Sequence, residues 1–174
     1  VGFATLFRLF GVAPNWDAAL GKGLTLMDQI RADAAALPGE TQDFVRMAQT
    51  LTAPLAQAGK GIAEIRQLTR ETAVAAAALA DGGRVTSHHF ANAASQMARI
   101  MMGHVNANVP LAAKIGINRD TKIGEHGEHT FKTGDFEERW KFISDKLALT
   151  QEAMKNIEKT WDGVTSMLSD KWKL

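Results

Sequence analysis

The residues able to do chemistry in this chain are few, and the most suggestive of them crowd into one short stretch. Five histidines occur: His88, His89, His104, His126 and His129. Only His126 and His129 stand three apart, with Glu125 and Glu128 interleaved. Imidazole and carboxylate groups are ligands of divalent transition ions, and on a helix an i, i+3 pair shares one face. Gly124 and Gly127 flank the pair, however, and disfavour a helix there. No third ligand lies at a readable spacing, so a polar loop is the simpler reading. A metal-dependent enzyme built on His126 and His129 is the least favoured of three functional readings. His88 and His89 open a helix, where adjacent side chains diverge, and His89 is placed to face a cap at Thr86.

The rest of the chain offers no catalytic pattern. It contains no GxSxG, HExxH, Walker or dinucleotide-binding sequence. Gly59-Lys60-Gly61 lacks a preceding strand and a following GK[ST], so it reads as a turn. The paired carboxylates Glu137 and Glu138 fall on the expected solvent side of a helix. With no cysteine, disulfides, thiolate metal sites and a thiol nucleophile are excluded. Lys and Arg number 20 against 19 Asp and Glu, interspersed and without interleaved aromatics, which argues against a nucleic-acid platform. The expectation is no catalytic residue, no cofactor, no metal and no specific nucleic acid.

The elements that must carry these residues are helical. At 174 residues, with 45% hydrophobic and 22% charged residues, the chain can bury a real core. Asn15 reads as a cap, followed by Trp16, Leu20, Leu24, Met27, Ile30 and Ala34 on one helical face, stopping at Leu37-Pro38-Gly39. A second helix from Glu40 or Thr41 carries Phe44, Met47, Leu51 and Leu55, with a kink or break expected before Pro54. A third shows Ile62, Ile65, Leu68, Thr72, Ala76 and Leu79, and a fourth, capped by Thr86, carries Phe90, Ala94, Met97 and Met101. A short piece follows Pro110. Thr121-Lys122-Ile123 and His129-Thr130-Phe131 flank a glycine-bounded turn and suggest a small β-hairpin near 121–131.

Asp135 and Glu138 form a capping-box pattern, and a long helix follows. Phe136, Trp140, Ile143, Leu147, Met154, Ile157, Trp161, Val164 and Leu168, with Thr150 inserted, step by four and three. That is a heptad-like seam. The helix would be roughly 50 Å long at about 1.5 Å per residue. Two readings of the seam stand open: self-association, or an arm folding back on the chain's own helices. The expected fold is all-α: a helical body over 1–118, a polar Gly/His loop or hairpin over 119–134, and a helical arm over 135–174.

At the other end, Phe3, Phe7 and Phe10 share one face of a short helix. The apolar opening is too short to span a bilayer, which needs about 20 residues, and lacks the flanks of a signal peptide. The face either docks on this chain or a neighbour, or acts as an interfacial anchor. The chain opens on Val1, which suggests a processed or excerpted segment.

Three stretches taken in order carry a resemblance. They are 36–61, with Leu37-Pro38-Gly39 and Ala58-Gly59-Lys60-Gly61; 65–73 (IRQLTRETA) followed later by 111–117 (LAAKIGI); and 157–170 (IEKTWDGVTSMLSD). Together they resemble a domain of the tail tape measure proteins of bacteriophages and related tail-like particles, over Leu24 to Lys171. The resemblance implies a non-catalytic structural role in tail length determination and tail tip assembly, a homo-oligomer, tail tube and tail tip proteins as partners, and the virion tail as location. It carries over no catalytic residue, and the segment Gly124 to His129 departs from the family pattern. The second reading, of a different class, is a helical adaptor or membrane-proximal interaction protein using the Phe3, Phe7 and Phe10 face.

Overall fold

The computed structural model of the chain describes residues 2–37, 39–80 and 84–157, with 77–78 and 148–157 described by their helical backbone alone. Among the described residues there are helices α1 (Phe3–Leu9), α2 (Trp16–Ala36), α3 (Thr41–Gln57), α4 (Ile62–Leu79), α5 (Ser87–Met101), α6 (Pro110–Lys114) and α7 (Phe136–Ile157). Strands β1 (Lys122–Ile123) and β2 (His129–Thr130) pair antiparallel, with Lys122 opposite Thr130 and Ile123 opposite His129. The expected hairpin is therefore present, and the rest of the described architecture is helical.

Local chemistry sets the boundaries. Asn15 Oδ1 accepts from the Ala18 amide at 2.8 Å and starts α2, satisfying one of the amides a helix N-terminus leaves open. At the head of α5 the imidazole of His89 accepts from the Thr86 amide at 3.0 Å, so His89 is a capping residue. The Glu64 carboxylate does the same for the Gly61 amide at the head of α4. The expected interruption before Pro54 does not appear as a break, because α3 continues through it to Gln57. Pro54 lacks the amide that would bond to the Thr50 carbonyl, but it lies in the last turn with only three helical residues after it, and its ring is buried.

Helices α3, α4 and α5 touch one another and form the centre. Phe44, Leu51, Leu55, Ile65, Leu68, Phe90 and Met97 meet there, all fully or almost fully buried. α2 lies across α3 and α4, and α1 closes over α2 and α3. α7 packs on α4, α5 and the hairpin. Residue 135 is thus no break in packing: the side chains of Ile143 and Leu147 belong to the same core as α4 and α5. Of the proposed arm, the part with described side chains is built into the body.

The α2 face differs from the expected one. Ala19, Gly23, Leu26 and Ile30 are buried, whereas Trp16, Leu20 and Leu24 are 54%, 52% and 68% exposed. Small residues decide this. A Cβ on Gly23 would stand 3.5 Å from the Phe3 Cβ and the Ala4 nitrogen, so α1 seats against the Ala19 and Gly23 side. The periodicity correctly marks a helix, but two faces of α2 carry the spacing, and close approach selects the one with less bulk.

Candidate functional site

The polar stretch after α6 forms a defined corner where the hairpin meets the first turn of α7. Ile123 and Phe131, both buried, hold the hairpin against the body, and the Phe131 amide donates to Thr121 O at 2.7 Å. Arg139 ties the hairpin's exit to the helix. Its Nε donates to Phe131 O at 2.9 Å and its Nη2 to Gly134 O at 2.6 Å. Gly103, at φ +85, makes room for that guanidinium, since a Cβ there would lie 2.9 Å from Arg139 Cζ. Burial pulls the Arg139 pKa below its ordinary value.

On the outer side of this corner stand Glu128, His129 and Glu138, whose potential ligand atoms all lie within 4.8 Å of one another. The capping box supplies Glu138: its Oε1 accepts from the Asp135 amide at 3.1 Å, while Asp135 Oδ1 accepts from the Glu138 amide at 2.8 Å. Its second oxygen, Oε2, accepts from His129 Nδ1 at 2.7 Å. That bond favours the imidazolium and raises the His129 pKa, with the Glu138 charge adding to it. Glu128 Oε2 accepts from the His126 amide at 2.8 Å. Hydrogen bonds from its own and the His126 backbone amides draw the Glu128 carboxyl below its ordinary pKa. Gly124, at φ +95, completes the corner. A Cβ there would come within 2.8 Å of both Glu128 Cδ and Glu138 Oε2, so the missing side chain is the space the two carboxylates share.

This grouping differs from the sequence-based pairing. His129 is in it and His126 contributes only its backbone. Glu138, placed by sequence on a solvated helical face, is the third member. Its signal was present as the N3 position of the capping box, but what it faces depends on the turn of chain between hairpin and helix. Neither His88 nor His89 joins: His88 lies 3.3 Å from the Asn92 side chain, and His89 caps α5.

The other expected site residues separate into three groups. Ile143 and Leu147 are fully buried, and Phe136 and Trp140 are half-buried against the core. Lys60 Nζ, from the turn before α4, sits 5.9 Å from the centre of the Trp140 ring and 2.6 Å from Glu137 Oε1, which fastens this end of α7. The side chains of Met154 and Ile157, and all of Trp161, Val164 and Leu168, lie outside the described residues. Phe3 and Phe7 are buried and Phe10 is half-buried, with the Phe3 and Phe7 rings stacked at 5.7 Å. Phe3 and Phe7 of the phenylalanine face are therefore turned into the chain's own core.

Among the described residues, the large apolar side chains left on the surface are Leu9 at the end of α1, Met102 after α5, and the stripe Trp16, Leu20 and Leu24. Steps of four keep these three side chains on one ridge of α2. No described helix is long and apolar enough to cross a membrane. Comparisons with protein-family models, with curated proteins and with solved structures yield no match.

Proposed function

We propose that the chain is a non-catalytic helical assembly module of a phage tail, tape-measure-like in role, that works by self-association and by contact with tail tube and tail tip proteins. Two independent lines support this reading. The first is the ordered resemblance of 36–61, 65–73, 111–117 and 157–170 to tape measure domains, which implies tail length determination, tip assembly and a place in the virion tail. The second, and the observation that carries it, is the ridge of Trp16, Leu20 and Leu24, each more than half exposed. Apolar side chains aligned on one helix and left in solvent offer area whose burial against another chain would be favourable. The heptad spacing continues beyond Leu147 in the sequence, at side chains outside the described residues, while Ile143 and Leu147 of its first half are spent inside the body.

Burial of Phe3 and Phe7 removes the support for the membrane-proximal alternative, whose face would have to be free. Sedimentation velocity over a range of concentrations tests the assembly reading. The parent chain is expected to associate as concentration rises, and Leu20→Glu with Leu24→Glu to shift it toward monomer without loss of helix content. A parent chain that stays monomeric throughout would overturn the reading. Coding sequences for a tail tube upstream and a tail tip downstream are the corresponding expectation at the level of the genome.

A further inference from the structure

The geometry points to a divalent transition-metal site of the Zn2+ kind at the corner of hairpin and α7, with His129 Nδ1, one oxygen of Glu128 and one oxygen of Glu138 as its protein ligands. The donor set is that of such an ion: one imidazole nitrogen and two carboxylate oxygens, with water to complete the shell, since Glu128 and His129 are exposed. Two ligands held about 2.1 Å from one ion stand about 3.0–3.4 Å apart for angles between octahedral and tetrahedral. His129 Nδ1 and Glu138 Oε2 are 2.7 Å apart, so a few tenths of an ångström of opening lets an ion replace the proton between them. Glu128, within 4.8 Å of both, needs only a side-chain movement to join.

The backbone distinguishes this corner from an ordinary acidic surface. Gly124 holds a left-handed conformation where a Cβ would displace the ends of both carboxylates. The two carboxylates and the imidazole thereby converge on a shared space, where an ion would take over the charge balance that the proton on His129 now provides. The outer contacts of a metal site are also in place. The Asp135 amide fixes the second oxygen of Glu138, and the His126 amide orients Glu128; such contacts aim ligands before an ion arrives. An ion here would join the hairpin to the first turn of α7, a structural clamp on the corner that Arg139 already braces. The inference stands apart from the tail-assembly reading.

Calorimetric titration of Zn2+ into the chelator-treated full chain, in a non-chelating buffer, tests it. The expected result is saturable binding of one ion per chain, a raised Tm, and no comparable heat from Mg2+, for which imidazole is a poor ligand. Removing even an outer contact weakens metal sites by about 10–100-fold, so loss of a ligand by His129→Ala or Glu128→Gln is expected to cost at least about tenfold in affinity. Neither of these side chains caps a helix, so both variants keep the fold. Gly124→Ala is expected to weaken binding by parting the carboxylates. His126→Ala is the control and should bind as the parent does. The proposal fails if Zn2+ shows no saturable binding, if His129→Ala leaves affinity unchanged, if His126→Ala lowers it equally, or if Mg2+ binds as well.

Discussion

A two-bond ion pair on a buried carboxylate couples α2 to α4. Asp33, 7% exposed at its side chain, accepts from Arg66 Nε at 3.0 Å and from Arg66 Nη2 at 2.9 Å. The two parallel bonds raise the Arg66 pKa, the hydrogen bond to Asp33 being the largest cause. Arg70 Nε lies 3.6 Å from the same carboxylate, too far for a hydrogen bond but close enough for charge attraction. A buried carboxylate satisfied by a guanidinium contributes little against an apolar pair of the same shape, whereas an unpartnered charge is costly. Asp33→Ala would leave the Arg66 and Arg70 guanidinium groups, 32% and 41% exposed, without this buried partner. Arg66 is about one third exposed and partly screened, so the cost should fall below that of a fully buried pair, at about 2–3 kcal/mol. Urea unfolding measures it, and Asp33→Leu with Arg66→Met should recover most of the loss. A single-variant cost within about 0.5 kcal/mol, the range of ordinary surface substitutions, would show that the pair carries no such weight. Residues 33 apart in sequence give no spacing signal, so this contact was not legible before the helices were placed.

At the scale of elements, the same apolar spacing leads to opposite fates. Ile143 and Leu147 sit at heptad-like positions of α7 and are fully buried against the chain's own core, while Leu20 and Leu24 sit at helical spacing on α2 and are exposed. Ile143→Ala or Leu147→Ala should therefore cost about 2–4 kcal/mol through lost burial and a residual cavity, whereas Leu24→Ala should stay within about 0.5 kcal/mol. Chemical denaturation of the three variants separates the two cases, and equal costs would contradict the packing. Helix existence was legible because caps act locally: Asn15, Thr86 and the Asp135–Glu138 box each announce a start. The hairpin was legible from its glycines and short β-prone flanks. Facing was not, because which side of α2 packs depends on how close α1 can come at Gly23. The metal corner was half legible for the same reason. His129 and Glu128 stand out within the loop, but Glu138 joins them only through the path of the chain into α7.

For the whole molecule, charge and apolar surface make different demands on assembly. With 20 basic and 19 acidic residues the chain has a formal net charge of +1, so copies neither repel strongly nor attract through opposed fields. The ion pairs with the highest exposure, Arg119 with Asp120 at 3.8 Å and Arg31 with Asp28 at 3.1 Å, are each made between residues close in sequence and offer little to a neighbouring chain. The side chains left without cover are Leu9, Trp16, Leu20, Leu24 and Met102 among the described residues. An assembly formed through them is driven by removal of apolar area from water, at roughly 25 cal/mol per Å2 before the losses of association are counted. Salt discriminates this from a charge-driven contact. Screening shortens the Debye length from about 10 Å at 0.1 M ionic strength to about 3 Å at 1 M, which weakens exposed ion pairs, whereas a salt such as sulfate strengthens apolar burial. Sedimentation velocity at one protein concentration, with sodium sulfate increased stepwise, should show the associated fraction rising or holding steady. A fall toward monomer would mean that charge pairs, and not the α2 ridge, hold the copies together.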